Sequence, residues 1–327
     1  MAGQIANQIN ILWSDELNRR LASGAIWSLL GAVISRLLQI SASIVVARYL
    51  GKEGFGEFGV IQSTVGMFGT FAGFGLGLTA TKYIAEYRQT NPTRAGRIIG
   101  LITIVVVLSG FILTSSLYFV SPWLADRILA APQLTGEFRI STLILFFTAL
   151  CGAQTGALIG LESFRKVAKV TLIAGLASFP LVVGGVIYRG LDGALWGLVT
   201  TAVMTCFFNY IELKNETLRN GIHVTYRNSI GELPILWKFS FPALLSSILA
   251  APVNWVCVAM LVNQIDGYKE MGVVNAANQI FYALLFIPGV MASYTIPVLS
   301  ERWACGDRVA CRKILKSIIS INAAIVF

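Results

Sequence analysis

Ile98-Ile-Gly-Leu-Ile-Thr-Ile-Val-Val-Val-Leu-Ser-Gly-Phe-Ile-Leu-Thr-Ser-Ser-Leu-Tyr-Phe-Val120 contains no charged residue and no proline. A helix rises about 1.5 Å per residue, so this stretch crosses a hydrocarbon core of roughly 30 Å. Charge-free stretches also occupy residues 58–81, 140–161, 170–188, 193–211, 239–265 and 271–300, while residues 21–47 carry one charge, Arg36. The start of a ninth apolar stretch closes the chain. Backbone N–H and C=O groups in lipid find no water and must be satisfied within the segment, which helices do. The pattern therefore predicts an all-α polytopic membrane protein.

The chain also matches itself. Leu50-Gly-Lys-Glu-Gly-Phe-Gly56, after the first span, falls on Asp266-Gly-Tyr-Lys-Glu-Met-Gly272, after the seventh, with Gly51 on Gly267 and Gly56 on Gly272. Further on, Arg94-Ala-Gly-Arg97 falls on Val309-Ala-Cys-Arg312. Matching features six spans apart imply two parallel six-helix repeats, because an even number of passes returns the chain to the same side. Duplication of this kind marks secondary transporters, with the substrate path between the repeats. The expected domains are residues 1–211 as an N-terminal lobe with helices 1–6, residues 212–235 as a cytoplasmic linker, and residues 236–327 as a partial C-terminal lobe. That second lobe holds helices 7 and 8 and the start of helix 9.

Basic residues set the expected orientation. With the N-terminus inside, the segments facing the cytoplasm hold 18 of the 25 Lys and Arg, and the opposite side holds six. The same division accounts for the net charge of +9 through attraction to anionic headgroups, with no call for nucleic acid. Residues 1–20 are polar and of mixed charge, so the first span reads as uncleaved. Cys151, Cys206, Cys257, Cys305 and Cys311 are too scattered for a zinc site, and His223 reads as a solvated linker residue. No phosphate-cradling Gly-rich motif, carboxylate pair or nucleophile constellation is present, so the reading is of a non-enzyme without cofactor or metal.

Polar residues inside the spans are the candidate site. Arg36 lies near the middle of the first span, where a cation costs about 3 kcal/mol or more. Helical projection puts Ser28, Ala32, Ser35, Gln39 and Ser43 on one stripe with Arg36 at its edge, as for a helix facing a wet cavity. The charge-free spans offer no carboxylate to pair with it, which invites an anionic group such as phosphate. In the second unit Asn254 follows Pro252, and Asn275, Asn278 and Gln279 fall at helical spacing; Gln62 corresponds to Asn278. Side-chain amides offer donors and an acceptor to sugar hydroxyls, and serve equally as interhelical glue. Gly69, Gly73 and Gly77 read as helix-packing glycines. Pro180, Pro242, Pro252, Pro288 and Pro297 mark expected kinks.

Ala47-Arg-Tyr-Leu-Gly-Lys-Glu-Gly-Phe-Gly-Glu-Phe-Gly59 and Ala80-Thr-Lys-Tyr-Ile-Ala-Glu-Tyr-Arg88 resemble the N-terminal signature of polysaccharide-biosynthesis (O-antigen) flippases. Gly272-Val-Val-Asn-Ala-Ala-Asn-Gln279, Phe286-Ile-Pro-Gly289 and Pro297-Val-Leu-Ser-Glu301 resemble that family's second unit. The family belongs to the multidrug/oligosaccharidyl-lipid/polysaccharide exporter superfamily. The resemblance implies a two-lobed, alternating-access transporter in the bacterial inner membrane. Its substrate would be an undecaprenyl-diphosphate-linked oligosaccharide, moved from the cytoplasmic to the outer leaflet. The implied partners are that glycan, membrane lipids, and a glycan polymerase or other assembly proteins. Arg36 is the residue placed to serve as the cation of its central cavity. The chain ends at Phe327 inside an apolar stretch, whereas a full repeat would call for further spans. A cation-coupled multidrug antiporter of the same superfamily and a non-transporting scaffold of a glycan-assembly complex remain as alternatives.

Overall fold

The computed structural model describes residues 16–226, 229–248 and 250–304, with four single positions beyond. The start of the ninth helix, Cys305 and Cys311, and the side chains of Ser28 and Ala32 lie outside the described residues. Helices make up almost all of what is described, and no strand occurs among those residues. Helix α1 is Glu16–Gly73, α2 Leu76–Thr90, α3 Pro92–Trp123, α4 Thr135–Gly160 and α5 Phe164–Arg219. Beyond the linker follow α6 Phe241–Ile248, α7 Ala250–Val262 and α8 Gly267–Ala304.

Two of these runs each hold two membrane passes. Helix α1 breaks at Gly51 (φ 69°), and α5 breaks at Arg189 and Gly190 (φ 60° at the glycine). Positive φ costs glycine little because it has no Cβ. The arms of α5 pack on each other beside their turn: a Cβ on Gly185 would lie 2.0 Å from the Gly193 carbonyl oxygen. The second arm of α1, residues 52–73, continues the second pass into α2 across a break at Phe74 and Gly75, both at positive φ. Helix α5 runs through Pro180, and α8 through Pro288 and Pro297, without leaving helical geometry. The breaks inside these long runs fall at or beside Gly51, Gly75 and Gly190.

The turns at Gly51, Gly190 and Asp266 lie at one end of the bundle, the turn face; the long linker lies at the other. Four described runs are long and apolar enough to cross a membrane: 33–90, 92–128, 132–160 and 164–219. Leu108, Phe111, Ile112 and Phe119 on α3 stay exposed, as lipid-facing side chains do.

Glycine sets how closely α2 and α4 approach. A Cβ on Gly156 would lie 2.2 Å from the Gly77 carbonyl oxygen. The packing role expected of the glycine stripe therefore holds at Gly77. At Gly69 a Cβ would meet only Leu145, and at Gly73 it would meet nothing within 4 Å among the described residues.

Helix α5 continues to Arg219, so the first part of the expected linker is helical. Buried Glu212 explains the extension, with Lys166 at 2.8 Å and Lys169 at 3.0 Å. Ser163 adds a hydrogen bond to Glu216. The remaining linker is strapped across α3. A Cβ on Gly96 would meet the His223 carbonyl oxygen at 2.1 Å, and one on Gly100 that of Thr225 at 2.4 Å. His223 itself is exposed, as expected. Buried Glu232 then pairs with Arg94 at 3.0 Å and Arg97 at 3.5 Å. Gly156→Ala is expected to force α2 and α4 apart and to destabilise the protein by about 1–3 kcal/mol. A thermal-unfolding series in detergent checks this, with Gly73→Ala as the near-neutral control.

Candidate functional site

Both arms of α1 and of α5, together with α4, α7 and α8, surround a cavity of about 960 Å³ in the middle of the bundle. All seven polar residues singled out in the sequence reach its wall: Arg36, Gln39, Gln62, Asn254, Asn275, Asn278 and Gln279. Residues from both sides of the linker therefore meet around one space.

The first pass presents Arg36, Gln39 and Ser43 to the cavity, at one-turn and two-turn spacing. Ser35 turns away. It is 2 % exposed and donates to the Thr171 carbonyl at 2.9 Å, pressed against Gly175 of α5. The expected polar stripe is thus rotated: Arg36 lies on the cavity face rather than at its edge, and Ser35 belongs to a helix contact.

Arg36 Nη1 donates to Gln39 Oε1 at 3.4 Å, a long bond. Its Nε and Nη2 are buried and without a hydrogen-bond partner among the described residues. No carboxylate lines the cavity among the described residues. Among the described residues the cation is therefore held by one long hydrogen bond to a neutral partner.

The amides are not equivalent. Asn275 is 6 % exposed, and its Nδ2 donates to the Phe55 carbonyl at 3.1 Å. Asn278 and Gln279 are half-buried, and Asn254 is exposed.

Threonine hydroxyls complete the wall and were not singled out in the sequence. Thr70, Thr148, Thr201 and Thr205 each donate to the carbonyl four residues earlier, at 3.1, 2.7, 2.8 and 2.7 Å. With the proton committed to its own helix, each threonine oxygen keeps a lone pair for a donor in the cavity. Thr201 and Thr205 are four residues apart on one helical face, the periodic signal that would have found them. Ser63 also lines the space, and its buried Oγ has no partner among the described residues. Cationic and amide donors thus share the cavity with hydroxyl acceptors, a set suited to an anionic group joined to polyhydroxyl groups.

Among the described residues, passes on either side of the linker thus enclose a polar cavity within a helical bundle. The chain is similar to the EPS I polysaccharide export inner membrane protein EpsE of Ralstonia nicotianae, at 23 % identity over 85 % of this chain and 63 % of that protein. It is 26 % identical to the lipid III flippase of Escherichia coli, over 93 % of this chain and 73 % of that one. It therefore spans less than two thirds of the Ralstonia protein's length. Its fold is similar to that of a multidrug resistance MATE family transporter of the MOP superfamily solved in an outward-facing conformation. The TM-score is 0.69 at 17 % identity, over 92 % of this chain and 69 % of that chain. The polysaccharide biosynthesis protein family matches residues 21–303, and the chain belongs to it. It is a multi-pass α-helical membrane protein.

An unpaired cation inside a bundle is a cost to the empty protein that a ligand can offset. Arg36→Met keeps the apolar stem and removes the charge, and is expected to stabilise the ligand-free protein by about 1–3 kcal/mol. A melting temperature that falls instead would place Arg36 in a structural interaction.

Proposed function

We propose that the protein is a flippase for an undecaprenyl-diphosphate-linked oligosaccharide, the repeat unit of a polysaccharide or O-antigen. The observation that carries the reading is Arg36: a guanidinium with two buried nitrogens that, among the described residues, have no partner and face a cavity without a carboxylate. A diphosphate supplies the acceptor oxygens that this cation lacks. Gln39, Gln62, Asn254, Asn278 and Gln279 then meet sugar hydroxyls as donors and acceptors, and the threonine oxygens accept from them. The prenyl tail stays in lipid.

The N-terminus and the linker face the cytoplasm in this reading, as the basic residues favour. The headgroup enters the cavity from that side and leaves outward when passes 1–6 and the passes after the linker rock past each other as two parallel repeats. The names of the Ralstonia and E. coli relatives support polysaccharide export and lipid-linked substrates. A glycan polymerase or another assembly protein would receive the product outside. Chemistry on the substrate is not part of the reading.

A cation-coupled drug antiporter needs a carboxylate to exchange a proton or sodium for an organic cation, and the lining offers none among the described residues.

The test is complementation of a flippase-null strain by the gene encoding this chain, scored by surface glycan. Arg36→Ala is expected to lower surface glycan at least about tenfold, the loss of one charge-assisted hydrogen bond to phosphate. Arg36→Lys should fall between, since an ammonium meets phosphate without the paired geometry. Membrane levels of all three should match. Normal glycan from Arg36→Ala would overturn the substrate role, and a changed drug sensitivity with unchanged glycan would favour the antiporter.

A further inference from the structure

At the turn face, the second arm of α1 and the start of α8 meet with no side chain between their backbones. A Cβ on Gly56 would lie 1.8 Å from the Tyr268 carbonyl oxygen, and one on Gly272 would lie 2.1 Å from that of Lys52. The contact is reciprocal at the offset of the internal match: Tyr268 corresponds to Lys52, and Gly272 to Gly56. One turn further in, Gly59 faces the side chain of Asn275, its own counterpart, at 2.9 Å from a built Cβ. There Asn275 Nδ2 holds the Phe55 carbonyl at 3.1 Å.

Three more hydrogen bonds run along the same seam. Trp255 Nε1 donates to Thr64 Oγ1 at 3.0 Å, Asn263 Nδ2 to the Ile128 carbonyl at 2.6 Å, and the Tyr268 hydroxyl to the Leu129 carbonyl at 2.7 Å. Burial pushes the Tyr268 hydroxyl above its ordinary value, so it remains a donor. Toward the linker face the arrangement differs. Helix α2 packs on the turn before α6, with Thr79 and Ser240 at 2.6 Å and Phe239 edge-on to Tyr83, and scarcely touches α8 among the described residues.

We propose that the Gly56–Gly272 crossing is the closed outer gate of the transporter and that Asn275 is its latch. This rests on the alternating-access reading above and moves Asn275 from the substrate ligands to the gate. A seam of glycines against carbonyls excludes water when shut, because the backbones touch. At Gly56 and Gly272 it parts cleanly because each glycine meets backbone atoms of the other helix. Asn275 holds the seam at its inner edge, where the cavity begins, with one of the four hydrogen bonds that cross between the two sides here among the described residues. Opening therefore requires that this bond be given up.

Cys151 lines the cavity and reports on access to it. In a variant with Cys206, Cys257, Cys305 and Cys311 replaced by alanine, a membrane-impermeant maleimide is applied to right-side-out and to inverted vesicles. The parent is expected to label from the cytoplasmic face alone. Asn275→Asp keeps the side chain's size but replaces the donor, and is expected to raise labelling from the outer face about fivefold or more. Gly272→Ala should act in the same direction, because its Cβ cannot fit the closed seam. Outer labelling that stays at the parent's level in both variants, or that rises equally on both faces, would overturn the gate. The assay needs no cargo, so it separates failure of the gate from failure of the substrate reading. Arg36→Ala is expected to keep the parent's labelling pattern even where it abolishes export.

Discussion

Close approach of backbones along the second pass is the constraint on which the rest of this structure depends. Gly56 meets the start of α8, and Gly77 meets Gly156 of α4. Between these two contacts the same pass presents Gln62, Ser63, Gly66 and Thr70 to the cavity. One pass therefore closes one end of the bundle, packs against the neighbouring helix and supplies a wall of the site. Small residues make this possible in a bilayer, where packing replaces the hydrophobic drive that holds soluble helices together. The break at Phe74 and Gly75 separates the part that touches α8 from the part that touches the turn before α6.

Electrostatics is what the proposed substrate reading rests on. A cation without a carboxylate, inside apolar surroundings, is tolerable only where water or a ligand meets it. Arg36 occupies that position, and the neutral donors and acceptors around it add shape without cancelling its field. Charge on the linker side has a different use. Glu212 and Glu232 are each matched by two cations and hold the linker and the end of α5 in place. Buried acids there serve architecture, while the cavity lining holds none among the described residues.

The fold class was legible in the sequence because lipid punishes any exposed backbone or charge, so spans declare themselves by composition. The seven candidate residues were legible for the same reason: a polar group inside a span needs a wet or polar neighbour. The facing of Ser35 was not, because it is decided by Thr171 and Gly175, far away in the chain. Nor could composition separate Gly77, which packs, from Gly73, which faces open space. The helical end of the sixth pass beyond Ile211 depends on ion pairs with Lys166 and Lys169 at the start of the fifth pass, which no local propensity reveals. The threonine hydroxyls escaped attention because threonine is common in membrane helices and usually satisfies itself on its own backbone.

The central claim is that Arg36 meets the diphosphate. Its most direct measurement is the affinity of the purified protein, in lipid nanodiscs, for undecaprenyl diphosphate and for the uncharged prenol. The account predicts that the protein prefers the diphosphate and that Arg36→Ala reduces this preference about tenfold or more. Equal affinity of the variant and the parent for the diphosphate would contradict it.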